Sequence, residues 1–431
     1  MAPTLPVRAG SGRADGGNGV TIGRIGSVIE HECGMEMILA SPDDLPPTAA
    51  NPDEVGDLEQ YLDAADVAVV GVLHAFKCGD VLDQLADIKR RRGADFIPTV
   101  LVLGGTDVNV DAGDKADVLT RRAHAVDKVV SFSASMIAAA PPGSLPSDGR
   151  TAVVPQGVSL PEEAKGVPSV EGVPSVEVVP SGGFEEEGFE EEGFDVADDA
   201  PSPPPPLPLH EACGVPTSMP VFLLPAGLRP VKDMLWAVDA IDAVGAGSAN
   251  ASPPFVLAIV GPSLDDKYRD AVVERLGRSK NVVLIPPVDR AHTVGYMRAA
   301  TAVVNTSKSE GQSGALLEAA AAGVPIIARD IPGNRALLDL LLDATGETPD
   351  GERDEEGFES HPCGLLCPTP ESFAAALSGS AAGRRRRSTD RAALGAGCLA
   401  RNERDRWRGI IRELIGDTPE DGCGSDMAAA A

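Results

Sequence analysis

Aromatic residues are scarce in this 431-residue chain: 3% of the total, with two Trp and three Tyr. A core with so few rings has to be built from Val, Leu, Ile and Ala. No run reaches the roughly 18 apolar residues that a membrane span requires. The N-terminus also lacks the continuous apolar segment of a secretory signal. We therefore expect a cytoplasmic protein, with organelle targeting left open. The seven cysteines are scattered and show no framework spacing, which argues against a disulfide-stapled domain and for free thiols in a reducing compartment. Cations are outnumbered, 37 Lys and Arg against 65 Asp and Glu, for a net charge of −28. That deficit excludes a general nucleic-acid binder, whose partner demands a basic surface. A small phosphorylated ligand needs only two or three local cations and stays compatible.

What is abundant is Gly (47) and Pro (37), and acid in one place. Residues 161–212 hold fourteen acidic groups and one Lys, which supplies −13 of the net charge. Gly-Val-Pro-Ser-Val-Glu and Gly-Phe-Glu-Glu-Glu each occur twice there, and Pro203–Pro206 closes the stretch. Repeats this short and polar cannot stack into a core, so residues 160–212 read as a disordered acidic insert, or an acidic docking segment. On either side, short β-branched runs alternate with helical apolar spacing. Val67–Leu73, Thr99–Leu103 and Lys128–Phe132 read as buried strands, with Asp80–Arg92 as a helix between the first two. After the insert, strands at Met219–Leu224, Phe255–Val260, Val282–Ile285, Ala302–Asn305 and Pro325–Ala328 alternate with helices at Asp233–Val244, Lys267–Leu276, His292–Ala299 and Ala315–Ala322. Strands separated by helices imply parallel sheets. The expected fold class is α/β, with two doubly wound lobes at residues 1–159 and 213–378. A tail at 379–431 holds an amphipathic helix at about 400–416. Its Arg384–Arg387 run is a solvated loop or a site for an anionic partner. Cys363 and Cys367 lie near His361, yet the Gly-Leu-Leu between them reads as a strand rather than a metal site.

The most informative stretch is Asn305-Thr-Ser-Lys-Ser-Glu-Gly-Gln-Ser-Gly-Ala-Leu-Leu-Glu318. A strand ends in polar residues and glycine, and a helix starts at about Ser313. Its first turn offers unpaired N–H groups and the positive end of the helix dipole, which favour a phosphate. Glu310 and Glu318 are eight residues apart. A helix of that length rises ~12 Å, comparable to the distance from a sugar to a ribose across a diphosphate. Two carboxylates can accept bidentate hydrogen bonds from such polyols. A bare Glu pair arises readily by chance in so acidic a chain; its place on a strand–turn–helix unit gives it weight.

Residues from about Leu223 to Leu338 resemble the nucleotide-sugar lobe of retaining GT-B glycosyltransferases of family GT4, also called glycosyltransferase group 1. Glu310 and Glu318 match that family's E-x7-E motif, Leu257–Gly261 its L-x-I-V-G strand and Leu317–Ala328 its LEAxAxGxPIIA run. The resemblance implies two Rossmann-like lobes facing across a cleft, with the donor, a nucleotide-diphospho-sugar, in the second. It makes Glu310, Arg229 and Lys232 catalytic: Glu310 on the transferred sugar, the two cations on the leaving diphosphate. Here Lys232 follows Arg229 by three residues where the family has five. Donor contacts implied are Glu318 on the ribose, Gly311, Gln312, Ser313 and Gly314 at the helix start, Gly261 after a strand, and Pro287 in the base-contacting loop, where the family has Gly. Gly17, within Gly16-Gly-Asn-Gly19, resembles the glycine loop reaching the donor from the acceptor lobe.

His74, Lys77 and Asp107 stand at predicted strand ends of the first lobe, the edge where α/β proteins place ligands, and are candidates on the acceptor side. The expected reaction is retaining glycosyl transfer to an unidentified acceptor, with neither cofactor nor metal. A non-catalytic nucleotide-sugar-binding or scaffold protein, and a nucleotide-sugar epimerase, are the rival readings.

Overall fold

The computed structural model describes residues 4–8, 17–40, 57–93, 96–109, 114–161, 206–246, 255–346, 360–381 and 390–416. Most of the acidic insert and the Arg384–Arg387 run lie outside the described residues.

Two sheets organise the chain. The first comprises β1 (Thr4–Arg8), β2 (Glu36–Ala40), β3 (Val70–Leu73), β4 (Thr99–Val102), β5 (Lys128–Ser131) and β6 (Thr151–Val153). They are parallel, in the order β2-β1-β3-β4-β5-β6. The second comprises β7 (Val221–Pro225), β8 (Val256–Val260), β9 (Val282–Ile285), β10 (Ala302–Asn305), β11 (Ile326–Arg329), β12 (Ser360–His361) and β13 (Gly364–Cys367). Its order is β12-β13-β11-β10-β7-β8-β9, and only the short β12 runs antiparallel to its neighbour. The fold is therefore α/β with two lobes, as the alternation of strand and helix patterns implies.

The β-branched runs explain the second sheet. A parallel sheet covered by helices on both faces needs strands that are apolar at every position. In β7, Val221 and Leu223 point into one core while Phe222 and Leu224 point into the other, and all four are buried. The same division holds along β8, with Val256, Ala258 and Val260 opposite Leu257 and Ile259. With few aromatics available, one edge-to-face pair, Phe222 and Phe255 at 5.3 Å between centroids, fills the bulkiest part of its layer. Truncating a fully buried Phe to Ala typically costs about 3–5 kcal/mol. Cys363 and Cys367 are buried and in no disulfide among the described residues, and Gly364–Cys367 is a strand, as the intervening apolar residues predict.

Two expectations need adjustment. Gly17–Gly19 is not a loop ahead of a helix: Gly17 opens the helix Gly17–Cys33 directly, and Gly16 lies outside the described residues. The amphipathic stretch near the end belongs to a longer helix, Asp390–Ile415, which is more than a tail. Its first half sends Ala392, Ala396 and Leu399 into the core of the second lobe. Its second half sends Trp407, Ile410 and Ile411 into the core of the first. One amphipathic helix is thus shared between two cores, and Gly395 lets it approach the Leu341 backbone closely. Among the described residues, no helix is long and apolar enough to cross a membrane.

Candidate active site

In a doubly wound sheet, ligands bind beyond the carboxyl ends of the strands, where the chain turns to opposite sides of its first strand. In the second sheet that point lies between β7 and β10, since β8 continues on the far side of β7. The loops after β7 and β10 are therefore forced side by side. They carry Arg229 and Lys232 on one hand, Glu310 to Ser313 on the other. Backbone and side-chain bonds stitch them together: Lys308 N donates to the Val231 carbonyl at 2.9 Å, and Thr306 Oγ1 to the Lys232 carbonyl at 2.8 Å.

Lys232 and Glu310 consequently form an ion pair, Nζ to Oε1 at 2.5 Å, although 78 residues separate them. The same oxygen accepts from Ser307 Oγ at 2.6 Å and Asn305 Nδ2 at 3.1 Å. Burial pushes the Glu310 carboxyl upward, but the Lys232 charge and its hydrogen bond, then those of Ser307 and Asn305, outweigh this and hold it below its ordinary value. Glu310 is an anion under physiological conditions. The shortened Arg229–Lys232 spacing is accommodated by a single 3-10 turn, Pro230–Lys232, that leads into Asp233 in the left-handed region at φ 47°. Asp233 is held there by Arg329 at 2.8 Å. Arg229 differs from its neighbour: its Nε is buried without a hydrogen-bond partner among the described residues. A cation left unpaired beside a paired carboxylate is ready for an incoming anion.

The helix Gly314–Ala321 begins where sequence reasoning expects, with Ser313 at its N-cap, but the Ser313 side chain does not cap it. Its Oγ accepts from Asn305 Nδ2 at 3.3 Å instead. Only the second half of the Glu310–Glu318 interval is helical, so the helix rise does not set their separation; loop contacts position Glu310. Glu318, on the helix, binds Arg290 Nε through Oε1 at 2.6 Å.

The lobes meet at this loop. Gly311 packs backbone to backbone against Gly105, which opens the short helix Gly105–Asn109 of the first lobe; a Cβ on Gly105 would stand 2.5 Å from Gly311 N. Gln312 is buried and grips the Gln156 backbone, accepting from its N at 2.9 Å. Gly314 has open space where a side chain would be. Gly261 has none, because the Ala226 carbonyl occupies the position; it lets the loops after β7 and β8 pair. Pro287 is exposed.

In the first lobe the corresponding switch point lies between β1 and β3. Gly17 follows β1 and His74 follows β3. His74, at φ 75°, is buried with Nδ1 3.2 Å from Asp107 Oδ2. That oxygen also accepts from the Gly104 and Ala75 amides at 2.8 and 3.1 Å. The ring occupies the space a Gly104 side chain would need. Asp107 Oδ1 is buried without a hydrogen-bond partner among the described residues. His74 and Asp107 are thus one buried unit, whereas Lys77 is exposed.

Several residues with a part here carried no clear sequence signal: Asn305, Ser307, Arg290, Gln156 and Asn334. The run Ile331-Pro-Gly-Asn334 shows how Asn305 is held. Pro332 opens a helix as an N1 proline should. Gly333 leaves room for the Glu310 backbone, and buried Asn334 donates to Asn305 Oδ1 at 3.1 Å, fixing the amide that serves Glu310.

Comparison with known proteins agrees with this architecture. Residues 219–379 match the family described as glycosyl transferases group 1. Over 118 residues the chain is 36% identical to glycosyltransferase 1 domain-containing protein 1 of Xenopus tropicalis, a stretch covering 27% of this chain and 33% of the relative. The chain thus spans about a third of the length of that relative. Sucrose-phosphate synthase from Thermosynechococcus elongatus superimposes with a TM-score of 0.59 over all of both chains at 16% identity. Anabaena Alr3699/HepE, solved with UDP-glucose, gives 0.55 at 13% identity, covering 97% of this chain and 99% of its own. Likeness at such identities speaks for the fold. The chain carries the two-lobed GT-B architecture, and its residues 219–379 are similar to the glycosyl transferases group 1 family.

Proposed function

We propose that this protein transfers a glycosyl group from a nucleotide-diphospho-sugar to an acceptor with retention of configuration and without a metal or cofactor. The observation that carries the proposal is the switch-point cluster of Lys232, Glu310 and unpaired Arg229, set beside an uncapped helix N-terminus. The bond from the sugar's anomeric carbon to the diphosphate breaks, and the diphosphate leaves with the electron pair. Arg229, Lys232 and the amides at Gly314 meet the charge that grows there, in a site that excludes much of the solvent. Glu310 carries its negative charge toward the sugar, whose ring becomes positive. The acceptor oxygen bonds to the anomeric carbon on the face the diphosphate vacates, and its proton passes to the leaving phosphate oxygen.

Glu318 then serves the donor ribose, and the His74–Asp107 unit lines the acceptor side. UDP-glucose in the Anabaena neighbour makes UDP-sugars the first donors to try. The test is turnover of UDP-, GDP- and ADP-sugars by the purified protein in EDTA, with the product's anomeric configuration read by NMR. Retained configuration in EDTA is the expected result. Loss of turnover in EDTA with rescue by Mn²⁺ would overturn the metal-free clamp, and saturable binding without any turnover would make this a nucleotide-sugar-binding protein.

A further inference from the structure

We propose that Arg290 is the positioning residue that sets Glu318 for the donor ribose, and that it does so by tying this carboxylate to the segment leaving the first lobe. The inference rests on the reading of Glu318 given above. Arg290 is the first residue of the helix Arg290–Ala299, whose start is fixed by Asp289: its Oδ1 accepts from His292 N at 2.8 Å. That backbone hydrogen bond leads the causes that hold the Asp289 carboxyl below its ordinary value. From this anchored position the guanidinium reaches two partners. Nε donates to Glu318 Oε1 at 2.6 Å, and Nη2 donates to the Ser159 carbonyl at 2.7 Å. Arginine suits the task, since its planar fork offers donors in fixed directions.

The Ser159 carbonyl lies two residues beyond a fixed point, because Gln156 and Gly157 are held by side chains from the rest of the chain. Gln312 grips the Gln156 backbone, and Gly157 N donates to Glu403 Oε2 at 2.9 Å from the long C-terminal helix. Glu403 is buried and also pairs with Arg24, which donates to Gln156 Oε1 at 3.1 Å. Gly157 leaves no room for a side chain against Ala400. An arginine anchored at both ends can hold one carboxylate oxygen at a set place. Glu318 Oε2 has no protein partner among the described residues, which leaves it to accept from ribose hydroxyls.

The test reads hydroxyl recognition directly. UDP, GDP and ADP, each beside its 2′,3′-dideoxy counterpart, are titrated calorimetrically into the full-length protein, Arg290→Ala, Arg290→Lys and Glu318→Gln. The wild type should favour the hydroxylated form of the nucleotide it binds by about tenfold, the scale of one hydrogen bond to a charged group. Arg290→Ala should weaken that nucleotide and bring the preference close to one, as Glu318→Gln does, with the dideoxy form bound equally by all. Arg290→Lys, which keeps the charge but loses the fork, should restore part of the preference. If Arg290→Ala keeps the full preference while Glu318→Gln abolishes it, the positioning role is wrong and the Glu318 reading stands. If Glu318→Gln leaves the preference intact, or no nucleoside diphosphate binds the wild type, the site reading fails and Arg290 falls with it.

Discussion

Both sheets reverse direction beside their first strand, yet the two lobes furnish that point differently. The second lobe brings charges together: Lys232 against Glu310, Arg290 against Glu318, with Arg229 on the loop after β7, its Nε unpaired among the described residues. The first lobe offers one buried His–Asp unit and bare glycine backbone at Gly104 and Gly105. One fold geometry therefore supports two jobs. A charged ligand has its counter-charges on the second lobe, while the first contributes shape and a close approach. The difference teaches that topology fixes where a site lies and side chains decide what it does.

The comparison breaks first if the Lys232–Glu310 pair is dispensable. Both groups are largely buried, so Lys232→Met leaves an uncompensated carboxylate at a cost of about 3–5 kcal/mol. The sign with pH follows from the lowered Glu310 carboxyl. Its stabilising contribution is complete above the ordinary carboxylate value of 4.5 and disappears as pH falls through the depressed folded value. Melting profiles between pH 7 and 3 should show the wild type holding its stability to lower pH than Lys232→Met. Identical profiles would mean the pair stabilises nothing. Glu310→Gln should in addition lower kcat by about 10²–10³ with nucleoside diphosphate binding nearly intact.

Next comes Arg229. Since its Nε is buried without a partner, removing the side chain should cost the folded state little. Arg229→Ala is expected to lower kcat by about 10² and leave the melting temperature within a degree or two, a split that thermal unfolding and single-turnover assays resolve. A large drop in melting temperature with unchanged turnover would make it structural.

On the first-lobe side, the sharpest probe is steric. Gly105→Ala places a Cβ 2.5 Å from Gly311 N, a backbone atom that cannot rotate away. Overpacking of this kind costs about 1–3 kcal/mol, and the displaced Gly311 should carry Glu310 with it, lowering turnover as well. Gly314→Ala, with open space around it, serves as the control and should melt like wild type.

Much of this was legible in the sequence for a physical reason: buried parallel strands must be continuous apolar runs, so β8 to β11 announce themselves, and a polar turn leading to a helix marks the loop that carries Glu310. What the sequence hid was the pairing across loops. Glu310 and Glu318 share a motif, but their partners Lys232 and Arg290 lie 78 and 28 residues away and are brought in by strand order. Gln312 reads as a donor contact by its place in the motif, and its side chain also grips Gln156 across the lobe seam, which the motif does not encode. The C-terminal helix was readable as amphipathic; that its two halves serve two cores depends on a packing partner no local pattern encodes.

The smallest expected effect separates the lobes at a single atom. The short helix Ala134–Ala139 in the first lobe is capped by Ser133, whose side chain accepts from Met136 N at 3.2 Å. The helix Gly314–Ala321 has Ser313 in the same position, but its hydroxyl turns to Asn305 and leaves the first-turn amides unclaimed. Ser133→Ala should therefore cost about 1 kcal/mol, the ordinary value of a lost cap. Ser313→Ala should cost less in the free protein, since Asn305 Nδ2 keeps its bond to Glu310. The order should persist when nucleoside diphosphate is added, because the phosphate is met by the amides and not the hydroxyl. Chemical denaturation of both variants, with and without the nucleotide, checks this. Were Ser313→Ala the costlier of the two, or were it to abolish the stabilisation by nucleotide, the hydroxyl rather than the open helix end would be the anion's ligand, and the division of labour between the lobes would have to be redrawn around it.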